Sequence, residues 1–237
     1  MTRLDGRTAR DLRDIKVETG FIDQAPESVL LSMGRTKVLC TASVSEGVPK
    51  WLENRLPPRG WVTAEYSLLP RSTNTRSRRE RTGAGGRTQE IQRLIGRSLR
   101  AGVDMSRLGA RSVIVDCDIL EADGGTRTAS VTGGWLALAR AIKPMMESGE
   151  LRRDPLISPV AAISVGLVDG EALLDLCYEE DSVAEVDMNV VMNGKGDLIE
   201  IQATAEGHTF SRSQLEELLD LAHKGIDKLI EIQDEHR

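Results

Sequence analysis

The chain has 237 residues, a formal charge of −6 and 40% apolar residues, enough to bury a core in one large domain or two similar halves. That composition excludes a disordered chain, and no run approaches the roughly 20 apolar residues that a bilayer span needs. The start, Met-Thr-Arg-Leu-Asp-Gly-Arg, holds no apolar signal core, and Cys40, Cys117 and Cys177 form neither a metal spacing nor a disulfide framework, so a cytoplasmic chain with reduced thiols and no membrane contact is expected.

In chain order, the first predicted strand covers 36–44, which is rich in β-formers. Residues 69–87 follow as a long exposed loop, a length that points to function in a compact domain. A helix is expected from about Thr88 to Ala101, with Ile91, Leu94, Ile95 and Leu99 at helical spacing. Residues 112–120 alternate, placing Val113, Val115, Cys117 and Ile119 on one strand face. A second helix, from about Thr128 to Met146, is small and apolar on most sides and reads as buried. Residues 145–158 look like the connection between halves. Strands are expected at 160–168, 171–178, 184–192 and 198–204, with Asp169-Gly170 and Asn193-Gly194 as hairpin turns. The last helix begins near Ser211, with a capping box between Ser213 and Glu216. Its core stripe is Leu215, Leu218, Leu219, Ala222, Ile226, Leu229 and Ile230. Clustered strands with a few long helices make an α/β (α+β) chain of two β-rich halves.

The charge is segregated. From Arg71 to Arg100 there are nine arginines, no lysine and two acids, Glu80 and Glu90. Arginine rather than lysine favours forked contacts with phosphate, so a local basic surface can bind a polyanion on a net acidic protein. Solvated charge, or pairing across a subunit interface, is the competing reading. Gly85-Gly86-Arg87 precedes the first helix and Gly124-Gly125-Thr126-Arg127 the second. Glycine permits the turn, outward N–H groups and the helix start attract an anion, and the arginine adds a fixed charge. Neither segment matches a P-loop or a dinucleotide fingerprint.

Residues 179–189 carry the acids. Asp187 and Asn189 share a strand face, and Asp181 lies just before that strand, in a candidate turn. Two carboxylates held together persist most easily around a cation, and oxygen ligands suit Mg²⁺ or Mn²⁺. The alternative is a solvated hairpin tip at Glu179, Glu180 and Asp181. His208, His223 and His236 form no triad, which argues against a Ser–His hydrolase. Aromatic residues are few, so backbone contact suits a nucleic acid better than base stacking.

Several segments resemble the ribonuclease PH family of phosphorolytic 3'-to-5' exoribonucleases. They are Arg3-Leu4-Asp5-Gly6-Arg7, Gly34 to Cys40, Trp61 to Tyr66, Gly86 to Arg97, Ala122 to Ser130, Tyr178 to Met192, and Thr204 to Gly207 with Phe210-Ser211-Arg212. Departures are small: Pro26-Glu27 where Glu-Gly is common, Glu121 for Gln, Ala203 for Gly, and Asn189 where related enzymes can carry Lys. The resemblance implies one domain over 1–237, built of two pseudo-symmetric β-α halves and assembled as a homohexameric ring, a trimer of dimers. It implies trimming of tRNA precursor 3' ends with inorganic phosphate as co-substrate, release of nucleoside 5'-diphosphates, and nucleotide addition in reverse. Arg87, Gly125, Thr126 and Arg127 are then expected to hold phosphate, and Asp181 and Asp187 to hold Mg²⁺ or act in catalysis, either one serving as a general acid. Arg76, Arg78, Arg79 and Arg81 are expected to guide the RNA. The rival from another class is a non-catalytic RNA-binding ring subunit of the exosome type, which needs neither the aspartates nor the phosphate loop. A small-molecule kinase would need a nucleotide loop that the chain does not show.

Overall fold

Alternation builds the first sheet. Its strands are β1 (Ile15–Thr19), β2 (Val29–Met33), β3 (Thr36–Glu46), β4 (Trp61–Leu68) and β5 (Arg111–Glu121), in the order β1-β2-β3-β5-β4. The computed structural model describes residues 3, 5–207 and 209–237, so Leu4 of the opening motif and His208 lie outside it. All neighbouring strands are antiparallel except β4 and β5, which are parallel and therefore joined by a helical crossover through α1 (Gly86–Ala101) and the short α2 (Met105–Leu108). Val113, Val115, Cys117 and Ile119 of β5 are buried on the face that their alternation assigns. Strands β1, β2 and β4 are additions to the sequence expectation. β2 is buried at every position, so it shows no alternation to read, whereas β4 does alternate, with Val62, Ala64 and Tyr66 inward.

The second sheet contains β6 (Val160–Val168), β7 (Glu171–Leu174), β8 (Val186–Asn193) and β9 (Leu198–Ala205), all antiparallel, in the order β7-β6-β8-β9. β6 is buried throughout, matching its unbroken apolar run. Asp169 and Gly170 make the tight β6–β7 turn, with φ of 50° and 75°. The strand expected over 171–178 stops at Leu174. Asp175 takes a positive φ of 56°, and Cys177 starts a one-turn helix, α4 (Tyr178–Asp181).

Helix α3 (Thr126–Glu147) packs on β2, β3 and β5 of the first sheet and on β6 of the second. Gly133 lets it approach closely: an added Cβ would lie 3.0 Å from the Cys40 Sγ. Helix α5 (Arg212–His236) covers β6, β7 and β8. Its capping box is Ser211 with Gln214, not Ser213 with Glu216. Ser211 is the last extended residue, so its hydroxyl can accept from the Gln214 N–H, while residue 213 is already helical. Leu218, Ala222, Ile226 and Leu229 of its stripe are buried, and Leu215, Leu219 and Ile230 pack partly buried against the same core, which draws on both sheets. Both α1 and α3 begin two residues earlier than their periodicity indicates, so each starts at the glycine-led segment itself.

Candidate active site

The loop Asp123–Gly125 carries β5 into α3. Gly124 and Gly125 both adopt left-handed φ, 75° and 64°, and Gly125 is the N-cap residue of α3. A Cβ on Gly124 would lie 2.6 Å from the Leu176 carbonyl oxygen and 2.9 Å from the Tyr178 N, so glycine is what allows segment 176–178 to lie against this loop. Buried side chains fix the contact. Arg13 donates from Nη2 to the Asp175 Oδ1 (2.6 Å), from Nε to Oδ2 (3.0 Å) and from Nη1 to the Asp123 carbonyl (2.6 Å). Burial works against the Arg13 charge, but the Asp175 carboxylate outweighs it and raises the guanidinium above its usual value. The Thr36 hydroxyl donates to the Gly124 carbonyl (2.7 Å). No sequence pattern marks Arg13 or Asp175, and Thr36, although inside the Gly34 to Cys40 segment, carries no sign of this contact, because the partners lie in distant segments.

The opposite wall holds the acids. Asp181 is the last residue of α4, rather than part of an open turn, and Asp187 is the second residue of β8. The hairpin-tip reading fails at Glu180, which is 7% exposed. Arg3 donates from Nε and Nη2 to the two Glu180 carboxylate oxygens, both at 2.6 Å, while the Cys177 N–H donates to Oε2 (2.9 Å). Burial pushes the Glu180 carboxyl up, but Arg3 and these hydrogen bonds hold it below the usual range. Glu180 thus ties the N-terminal segment to α4 and sets the direction of its neighbour, Asp181. Burial raises Asp181, although Arg127 and Arg87 oppose it. Burial, then the nearby Asp181 charge, pushes Asp187 up to about 6. The two carboxyls are close enough to share a hydrogen bond when one is protonated.

Between these walls lies a cavity of about 320 Å³. Arg87, Gly125, Thr126, Arg127, Asp181 and Asp187 all line it, together with Tyr66, Ser164, Tyr178 and Asn189. The Tyr66 hydroxyl donates to the Thr126 Oγ1 (2.9 Å), fixing the first residue of α3. The arrangement brings a glycine-led helix N-terminus against a pair of carboxyls whose charge Arg127 and Arg87 offset only in part. A hard dication fits such a pair: Mg²⁺ is commonly held by one or two carboxylates, with water and substrate phosphate completing its shell. Among the described residues no cluster of three or more His, Cys, Asp or Glu could form an all-protein cage.

Arg76, Arg78, Arg79 and Arg81 lie outside the cavity. They are exposed on the loop after β4, with no ion pair among the described residues, although Thr73 of the same loop lines the cavity. The first glycine pair differs from the second. Gly85 is the N-cap of α1 with φ of −66°, and Arg87 follows in the first turn. Glu80, the acid within the arginine loop, accepts from the Thr88 hydroxyl (3.0 Å) at this helix start.

Residues 11–144 match domain 1 of the 3' exoribonuclease family and residues 158–225 match its domain 2. The chain belongs to that family. It is 54% identical to the ribonuclease PH of Roseobacter denitrificans, over 98% of this chain and 98% of that protein. Identity to the ribonuclease PH of Crocosphaera subtropica is also 54%, over 98% of this chain and 96% of that one. Among solved structures, an Archaeoglobus fulgidus exosome with RNA bound to the active site aligns with a TM-score of 0.78 and 25% identity, covering 97% of this chain and 91% of that one. The resemblance drawn from the motifs therefore holds along nearly the whole chain, and the mixed α/β halves correspond to the two domains of the family.

Proposed function

We propose that this chain is a phosphate-dependent 3'-to-5' exoribonuclease that trims tRNA precursors, releases nucleoside 5'-diphosphates and adds nucleotides to RNA ends in reverse. The observation that carries the reading is the single cavity in which the left-handed Gly124–Gly125 cradle, Arg87 and Arg127 face Asp181 and Asp187. Inorganic phosphate and RNA are both anions, so their mutual repulsion opposes binding. The N-terminus of α3, the Thr126 hydroxyl and the two arginines offset the charge of the attacking phosphate. An oxygen of that phosphate attacks the terminal phosphorus, the P–O3' bond breaks, and the shortened RNA leaves with a 3'-hydroxyl, its proton passed from the attacking hydrogen phosphate or from Asp181 or Asp187 acting as general acid. No protein nucleophile is needed, in keeping with a cavity whose lining, among the described residues, holds neither cysteine nor histidine. Asp181 and Asp187 would hold Mg²⁺, or Mn²⁺, which supplies charge neutralisation for the non-bridging oxygens and the leaving 3'-oxygen.

Arg76, Arg78, Arg79 and Arg81 guide the RNA backbone in this reading, supported by their exposure and by their lack of ion-pair partners among the described residues. The chain acts in the cytoplasm as one folding unit within a homohexameric ring. Support for the unit comes from a core continuous across both halves, and support for the ring from the kinship with ribonuclease PH. No helix among the described residues is long and apolar enough to cross a membrane.

The test is trimming of an RNA with a short unpaired 3' tail in Mg²⁺, with and without inorganic phosphate, followed by chromatography of the products. Nucleoside diphosphates that appear only with phosphate are expected. Monophosphates formed without phosphate would mean hydrolysis and would remove Arg87 and Arg127 from the reaction centre.

A further inference from the structure

We propose that Glu90 and Gln202 are positioning residues that fix the plane of the Arg127 guanidinium for phosphate capture, a role that rests on the reading of Arg127 as a phosphate ligand. Three side chains from three elements form a closed triangle. Arg127 of α3 pairs through Nη2 with the Glu90 Oε2 (3.3 Å) and donates from Nη1 to the Gln202 Oε1 (3.4 Å). Gln202 of β9 closes the triangle by donating from Nε2 to the Glu90 Oε1 (2.9 Å). An outer brace continues from it: Gln202 Nε2 also approaches the Glu200 Oε1 (3.4 Å), and the Glu200 Oε2 pairs with the Arg97 Nη1 (3.2 Å).

The placement follows from the fold. Glu90 sits three residues after Arg87 on α1, so one helix face carries both a cavity arginine and the tether of the other. Gln202 pairs in register with Asn189, two residues beyond Asp187 on β8. The triangle therefore links the first half to the second at the edge of the cavity. A guanidinium has five N–H donors, and the triangle's one hydrogen bond from Arg127 uses a single donor, on Nη1, while Nη2 is held by the charge of Glu90, leaving four donors for an anion. An arginine on a flexible stem loses rotamer freedom when it grips phosphate, and a preformed tether removes part of that cost.

The charge of Glu90 alone has the opposite effect. A carboxylate beside a phosphate site repels the ligand, so a residue acting only through charge would tighten phosphate binding when removed. A positioning residue weakens it. The sign of the change separates the two roles.

The experiment varies inorganic phosphate at saturating RNA, with RNA binding and melting temperature measured in parallel, for Glu90→Ala, Glu90→Gln, Gln202→Ala, the Glu90→Ala/Gln202→Ala double variant and Arg127→Ala. Glu90→Ala and Gln202→Ala should each raise the KM for phosphate about fivefold, the scale of a partly exposed ion pair, with kcat and RNA binding nearly unchanged. The double variant should resemble either single one, because each opens the same triangle. Glu90→Gln keeps an acceptor for Arg127 but turns an amide donor toward the Gln202 Nε2, and should restore only part of the affinity. An unchanged or lowered KM in Glu90→Ala, with a raised KM in Arg127→Ala, overturns the positioning role and leaves the phosphate reading standing. A KM unmoved in Arg127→Ala overturns the phosphate reading, and the positioning role falls with it. A lowered melting temperature without a change in KM assigns the triangle to stability alone and likewise overturns the proposal.

Discussion

Two glycine pairs precede two helices, and by sequence they look alike. Gly85-Gly86 leads into α1 and Gly124-Gly125 into α3, each followed within two residues by an arginine that lines the same cavity. Their backbones differ. Gly124 and Gly125 are both left-handed, Gly124 pressed against segment 176–178 and Gly125 against the Arg13 guanidinium, whereas a Cβ on Gly86 would meet nothing within 4 Å and one on Gly85 only the flexible end of Glu80. The second pair is required by close packing between the halves. The first is a permissive start to a helix. A glycine pair ahead of a helix therefore forms part of the cavity wall with its own backbone only where another segment of chain is brought against it, while the first pair contributes only the arginine that follows it.

The sharpest break in this comparison removes what the second pair faces. Asp187→Asn is expected to lower kcat about 1000-fold, the upper range for loss of a preorganised electrostatic group. The fold should survive. The raised pKa of Asp187 means that its charge costs stability in the metal-free protein as pH rises from the unfolded value, so the amide should melt no lower at neutral pH. Retained turnover would take Asp187 out of the site. Gly124→Ala should cost about 3 kcal/mol, from left-handed strain and displacement of backbone. Turnover should fall about 100-fold as α4 shifts away from α3. Thermal melting and phosphorolysis assays check both, and a fully active Gly124→Ala protein would make the two glycine pairs equivalent after all.

Arg127→Ala should lower kcat/KM for phosphate about 100-fold and the more exposed Arg87→Ala about tenfold, within the range of charge-assisted hydrogen bonds. RNA binding should change less in both. Equal loss of phosphate use and RNA binding would contradict the assignment. A pH titration of Mg²⁺ binding sharpens the view of the acidic wall. Asp187 is ionised above about 6 and protonated below it, so protons compete with the cation on the acid side. Affinity should fall by up to about tenfold per pH unit there and level off above it. A flat profile across that range would remove the pair as ligands. The smallest effect is expected at Gly86→Ala, which should raise the melting temperature by roughly 2 °C through better helix propensity and leave activity intact.

Periodicity located the long elements because burial imposes it locally. The alternation of β5, the apolar run of β6, the α5 stripe and the small-residue α3 all appear where their spacing placed them. β2 was not visible because it is buried on both faces, which erases alternation, and the α5 cap fell on Ser211 because the extended-to-helical switch depends on the whole chain path. The six proposed phosphate and metal residues line one cavity, and the signal that singled them out was residue type: arginine beside glycine, and aspartates flanking a strand start. Sequence alone therefore determined which arginines, glycines and aspartates this protein can bring to one cavity. Only the tertiary structure decided how they meet. Arg13 with Asp175, Arg3 with Glu180, and Arg127 with Glu90 and Gln202 join segments far apart in the chain, and such pairings leave no local trace because the sequence separation between partners is set by topology rather than by any repeat.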